Sequence, residues 1–112
     1  MHIKDMTDAY IEAIYFTDTG DSEQPAPTAE LDPITRLQAY LDSRNFYWAV
    51  TKDLGIEPDT LDWKQMGHDL WLTRNGHGTG FWDRPAVYGN DRCMIFSAMA
   101  RAMGPHDALF KE

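Results

Sequence analysis

Two apolar runs, residues 69–74 and 79–84, each hold a tryptophan (Trp71 and Trp82) and flank Asn75, Gly76, His77 and Gly78. Asn and Gly both tolerate positive φ, and Asn-Gly between such runs is a strong hairpin signal, so the segment predicts an antiparallel β-hairpin. Cross-strand pairing sets its register. A two-residue turn at Asn75 and Gly76 puts Trp71 opposite Gly80, whereas a four-residue loop over 75–78 puts Trp71 opposite Trp82, Leu72 opposite Phe81 and Asp69 opposite Arg84. The second register is preferred, because aromatic, apolar and oppositely charged pairs each add about 0.2–1 kcal/mol. Leu70 and Trp71 then point to opposite faces, and the hairpin is expected to be covered on both sides.

Three helices are expected to pack on it. Tyr10, Ile11, Ile14 and Tyr15 follow helical spacing behind Thr7, giving a helix over 8–17, with a strand through Tyr15, Phe16 and Thr17 as the rival. Asp32 and Pro33 form a helix start: the carboxylate accepts from free backbone N–H groups, and Pro at the first position loses nothing. The helix runs over 33–54 to Gly55, with Ile34, Leu37, Leu41 and Trp48 as its core stripe. Arg44 and Asn45 interrupt that stripe, so a break near 42–45 stays open as an alternative. Asp59 or Thr60 caps a short turn holding Trp63 and Met66 and ended by Gly67. Asn90 or Asp91 opens a last helix over 91–103, carrying Ile95, Phe96, Met99 and Met103. The tail, residues 106–111, adds a short third strand in this reading. The class is α+β, a single domain over 1–112, with a mobile acidic connection over 18–31 that holds two prolines and few large apolar groups.

Charge is unevenly placed. Residues 1–62 carry thirteen Asp and Glu against four Lys and Arg, a net of −9; residues 63–112 carry five against six, a net of +1. Such a field disfavours direct binding to a phosphate backbone and attracts a basic protein partner. A lone Cys93 makes no internal disulfide, no apolar run approaches the roughly 20 residues of a membrane span, and the N-terminus lacks a signal-peptide pattern. The expected setting is cytoplasmic, with no membrane contact. Oligomeric state is not readable.

The block GHDLWLTRNGHGTGFWDR over residues 67–84 resembles a family of small uncharacterised proteins of tailed bacteriophages and related mobile elements. AYIEAIYFTDTGD over 9–21, followed by an acidic connection and a long helix, is more loosely similar. Pro85 stands where the family usually has glycine, and the tail HDALFKE is shorter than the strand and turn of relatives. The resemblance implies a phage or prophage context, hence the cytoplasm of a bacterial host, and brings no mechanism.

Chemistry-bearing residues gather around the predicted hairpin. His68 or His77 with Asp83 can be written as a general base and its carboxylate, the core of a small hydrolase. There is no HxxxH or HxH spacing and no second cysteine, so no metal or cofactor is expected. Gly76, Gly78 and Gly80 lead into a predicted strand rather than a helix N-terminus, which argues loop geometry over a phosphate cradle. Cys93 reads as a packed thiol, and Met94, Met99 and Met103 as core gap-fillers. The preferred reading is a non-enzymatic interaction protein that meets a basic surface on a host or phage protein. Asp18, Asp21, Glu23 and Glu30 supply its acidic face, and Arg74, Asn75, His77 and Trp82 its hairpin contacts. One version is an anti-CRISPR or anti-restriction inhibitor whose carboxylates imitate nucleic-acid phosphates. The alternatives are the hydrolase and a phage structural or assembly component.

Overall fold

The computed structural model describes residues 2–17, 32–76 and 80–105, and every regular element among them is helical. Helix α1 spans His2–Thr17, α2 Pro33–Trp48, α3 Trp63–Arg74, α4 Pro85–Tyr88 and α5 Asn90–Ala102. A π turn, Ala49–Asp53, prolongs α2, and 3-10 turns at Pro58–Thr60 and Phe81–Asp83 lie between helices. The α+β expectation is thereby corrected: the described parts of 69–74 and 79–84 form no hairpin, and no strand occurs among the described residues. The connection at 18–31, His77 and Gly78 of the expected loop, and the expected third strand at 106–111 lie outside the described residues.

The physical reason is the spacing of the residues that need burial. Trp63, Met66, Gly67, Leu70 and Trp71 recur at i, i+3, i+4, i+7 and i+8, and all are buried. Leu70 and Trp71 are sequence neighbours; a helix sets them about 100° apart on one broad face, whereas a strand sends them to opposite sides. Asp62 starts the helix, its Oδ1 accepting from the Lys64 and Gln65 amides at 3.1 and 3.2 Å. Asn75 and Gly76, expected as a hairpin turn, instead finish it: Asn75 is the C-cap and Gly76 takes φ +66°.

Gly67 does not end a turn. It lies inside α3, where a Cβ would stand 2.2 Å from the Met6 carbonyl oxygen and 3.0 Å from the Ala9 Cβ, so it marks the closest crossing of α1 over α3. Around that crossing Met6, Tyr10, Ala13 and Ile14 of α1 meet Met66, Leu70 and Trp71 of α3 in one core, with Tyr10 and Trp71 edge to face at 5.4 Å. Helix α1 starts at His2, six residues before the expected start at residue 8, and Thr7 is not its cap. The Thr7 hydroxyl sits mid-helix and donates to the Ile3 carbonyl at 2.7 Å.

Helix α2 starts as expected, with Asp32 Oδ1 accepting from the Ile34 amide at 2.8 Å and Pro33 at the first position. It continues through 42–45 without a break, and Gly55, at φ +69°, follows the π turn. Its orientation differs from expectation. Thr35, Ala39, Asp42, Ser43 and Phe46 are buried, while Ile34, Leu37 and Trp48 of the anticipated core stripe are exposed.

The second core layer is aromatic. Phe81 stacks parallel on Phe46 at 5.4 Å and meets Tyr88 and Phe96 edge-on at 5.4 and 5.5 Å. The chain reaches this place by doubling back on α3: the Phe81 amide donates to Thr73 Oγ1 at 3.0 Å. Gly80, at φ +154°, permits the approach, since a Cβ there would lie 2.1 Å from the same oxygen. Helix α5 buries Cys93, Phe96, Ser97 and Ala100, whereas Met94, expected inside, is exposed.

Candidate functional site

Three groups of charged side chains are brought together, two inside and one on the surface. Inside, Asp69 is fully buried, and its carboxylate accepts from Gln65 Nε2 at 3.1 Å, Arg84 Nε at 2.7 Å and the Tyr88 hydroxyl at 2.6 Å. Burial and the neighbouring Asp69 charge push the Tyr88 hydroxyl pKa well above its ordinary value. Burial alone would lower the Arg84 pKa, but the Asp69 hydrogen bond and charge raise it above the usual guanidinium value. Opposite lies Arg74, only 7% exposed, whose guanidinium pairs with Asp42 and donates to the Tyr10 hydroxyl at 3.0 Å. The same guanidinium donates to the carbonyls of Gly104 at 2.8 Å and Met103 at 3.3 Å. Burial is the chief cause raising the Tyr10 pKa, with Arg74 opposing it. Both clusters satisfy polar groups between helices. Arg74, expected at a binding surface, is thus an internal tie.

On the surface, Asp5, Asp8 and Glu12 recur at i, i+3 and i+7 along α1 and line a cleft of about 280 Å³ with Ala9, Lys64 and His68 of α3. Lys4 Nζ donates to Asp8 at 2.6 Å, and His68 Nε2 lies 3.3 Å from Glu12 Oε1. His2 Nε2, at the start of α1, lies 2.7 Å from Asp59, so the acids of the turn before α3 gather at the same end. The row is a set of solvated acceptors suited to attracting cations. Among the described residues no group of three or more His, Cys, Asp and Glu is placed to hold a metal ion.

The residues singled out in the sequence separate. Asp18, Asp21, Glu23, Glu30 and His77 lie outside the described residues. His68 faces Glu12, whereas Asp83 Oδ1 accepts from the Gly80 amide at 3.1 Å. Asn75 donates from Nδ2 to the Trp71 carbonyl at 3.0 Å, and Trp82 is exposed. Sequence reasoning missed the Asp5, Asp8 and Glu12 row, although its spacing marked one helix face once α1 is started at His2. No helix among the described residues is long and apolar enough to cross a membrane. No family model, curated protein or solved structure matches the chain.

Proposed function

We propose that this chain is a non-enzymatic interaction protein of a phage or prophage, acting in the cytoplasm of a bacterial host by engaging a basic surface on a host or phage protein. The observation that supports it is the surface row of half-buried Asp5 and exposed Asp8 and Glu12, with Asp59 bonded to His2 at the start of the same helix, on a half-chain of net charge −9. Exposed carboxylates of one sign steer a cationic surface and contribute more to encounter than to the lifetime of the complex. An inhibitor that occupies the nucleic-acid groove of a defence complex is the form of this activity that most directly uses such a face. For the hydrolase reading, His68 and Asp83 each have other partners, and His77 lies outside the described residues.

Affinity capture from infected host cells, followed by binding measurements on the purified partner, tests the proposal. Affinity is expected to fall at least about tenfold between about 50 and about 500 mM salt, because screening shortens from roughly 14 to roughly 4 Å. It should fall again in a chain carrying Asp8→Lys and Glu12→Lys. Binding that ignores both salt and charge reversal overturns the electrostatic reading.

A further inference from the structure

The outward ridge of α2 has the opposite character to the rest of its half-chain. Arg36, Tyr40, Arg44, Trp48 and Lys52 follow one another at i+4 steps, so cations and aromatic rings alternate along a single row of the helix. Three of the four Lys and Arg residues of the first 62 stand on this row. The only carboxylate within residues 33–52 is Asp42, buried on the other side against Arg74. The Arg44 guanidinium lies 4.7 Å from the Trp48 ring centroid and 5.9 Å from that of Tyr40, and Lys52 Nζ lies 5.2 Å from the Trp48 ring. Two cations thus lie close to the Trp48 ring. Among the described residues neither Arg44 nor Lys52 has a carboxylate partner, and Arg44 Nε is buried without a hydrogen bond. Near the start of α2, Ile34 is 74% and Leu37 57% exposed, adding apolar surface to the solvent side of the helix.

We infer that this face docks an acidic amphipathic segment of a partner protein. Its carboxylates would complete Arg36, Arg44 and Lys52, and its apolar side chains would cover Ile34 and Leu37. The cations stand eight residues apart, about 12 Å along the helix, which a partner helix matches with an acid every second turn. Charge complementarity selects this occupant over others. A nucleic acid would need ring faces for base stacking, for which Arg44 and Lys52 compete at Trp48, and the exposed Ile and Leu gain nothing from a phosphate backbone. An anionic bilayer or duplex would also meet the field of a chain of net charge −8, whereas a short acidic segment meets only the local ridge. Asp8 of the α1 row borders this surface at Tyr40, where the two line one pocket with Lys4, but the inference does not rest on the function proposed above.

The test uses the full chain and a labelled synthetic helical peptide with Leu at i, i+3, i+4 and i+7 and Glu flanking the apolar row. Its Glu→Lys counterpart, phosphatidylglycerol vesicles and a DNA duplex complete the probe set. Fluorescence anisotropy is expected to show saturable binding of the Glu peptide and at least about tenfold weaker binding of the Lys peptide, a difference of about 1.4 kcal/mol. Lys52→Glu, at an exposed position, and Arg44→Glu should each weaken the Glu peptide by a similar factor. The double variant should prefer the Lys peptide, while Glu12→Lys, in the cleft between α1 and α3, leaves the Glu peptide unaffected. Equal binding of the two peptides, no binding of the Glu peptide, or tighter binding to vesicles or DNA overturns the inference. Self-association that Lys52→Glu abolishes overturns it too, since a second copy would then be the occupant.

Discussion

Gly67→Ala separates two opposing effects whose sizes are known. In an isolated helix the change stabilises by about 1 kcal/mol, because alanine loses less backbone freedom than glycine. In this fold the new Cβ would stand 2.2 Å from the Met6 carbonyl oxygen. Both atoms belong to helix backbones, so neither can turn aside as the end of a side chain would. The axes of α1 and α3 must part by about 1 Å at the crossing, and a gap of that size forfeits up to about half of the dispersion attraction of the atoms lining it. The affected face holds Met6, Tyr10, Met66, Leu70 and Trp71, all buried. Overpacking costs about 1–3 kcal/mol, and backbone against backbone belongs at the upper end. After the propensity gain is offset, about 2 kcal/mol of destabilisation remains, a fall in Tm of about 10 °C for a chain of this size. Thermal and urea unfolding followed by far-ultraviolet circular dichroism measures it, with Ala98→Gly, at an exposed position in α5, as a propensity-only control worth about 1 kcal/mol. A Gly67→Ala chain as stable as the parent, or more so, would refute the close crossing of α1 and α3.

Removing the buried carboxylate with Asp69→Ala leaves the Tyr88 hydroxyl and Arg84 without their partner, and a loss of about 3 kcal/mol in urea unfolding is expected; less than about 1 kcal/mol would count against the network. Alkaline stability follows from Tyr10 and Tyr88, whose folded pKa values are both raised above the ordinary 10.0, chiefly by burial. The unfolded chain therefore loses these protons first, so their contribution is intact below pH 10.0 and declines as pH rises above it, by roughly 1.4 kcal/mol per pH unit for each tyrosine. Urea midpoints measured from about pH 9 to about pH 11 should fall accordingly, and a flat profile would contradict the burial of both hydroxyls.

Signals that act within one helical turn were legible in the sequence. The Asp32 and Pro33 start and the extent of α2 through its π turn depend on local backbone chemistry, and the structure has them where they were expected, whereas α5 begins one residue before the expected 91, behind Gly89 rather than under an Asn90 or Asp91 cap. Gly67 was read by the same local rule as a stop, yet its role is set by α1, some sixty positions away in the chain. Taking it as a boundary cut the helical series from Trp63 to Trp71 in two, and the remaining piece beside Asn75 and Gly76 then resembled a strand leading to a turn. The expected pairing of Asp69 with Arg84 does occur at 2.7 Å, but between a helix and the residue after a 3-10 turn. Trp71 and Trp82 do not share its fate: one is buried and the other exposed. The burial of α2 misled for a related reason. Its inner face carries Thr35, Asp42 and Ser43, and Asp42 becomes compatible with the interior through Arg74, 32 residues later. On the surface, the acids of the connection drew attention away from the row at Asp5, Asp8 and Glu12, because α1 was expected to begin only at residue 8.

The Arg74 tie also bears on the order in which the chain can mature during synthesis. Its guanidinium joins Tyr10 of α1 to the carbonyls of Met103 and Gly104, which follow α5. A nascent chain that has released α1, α2 and α3 from the ribosome still holds donors whose acceptors have not yet been made. The first three helices therefore reach their final hydrogen bonding only once Met103 and Gly104, just past α5, have been added and folded back onto Arg74.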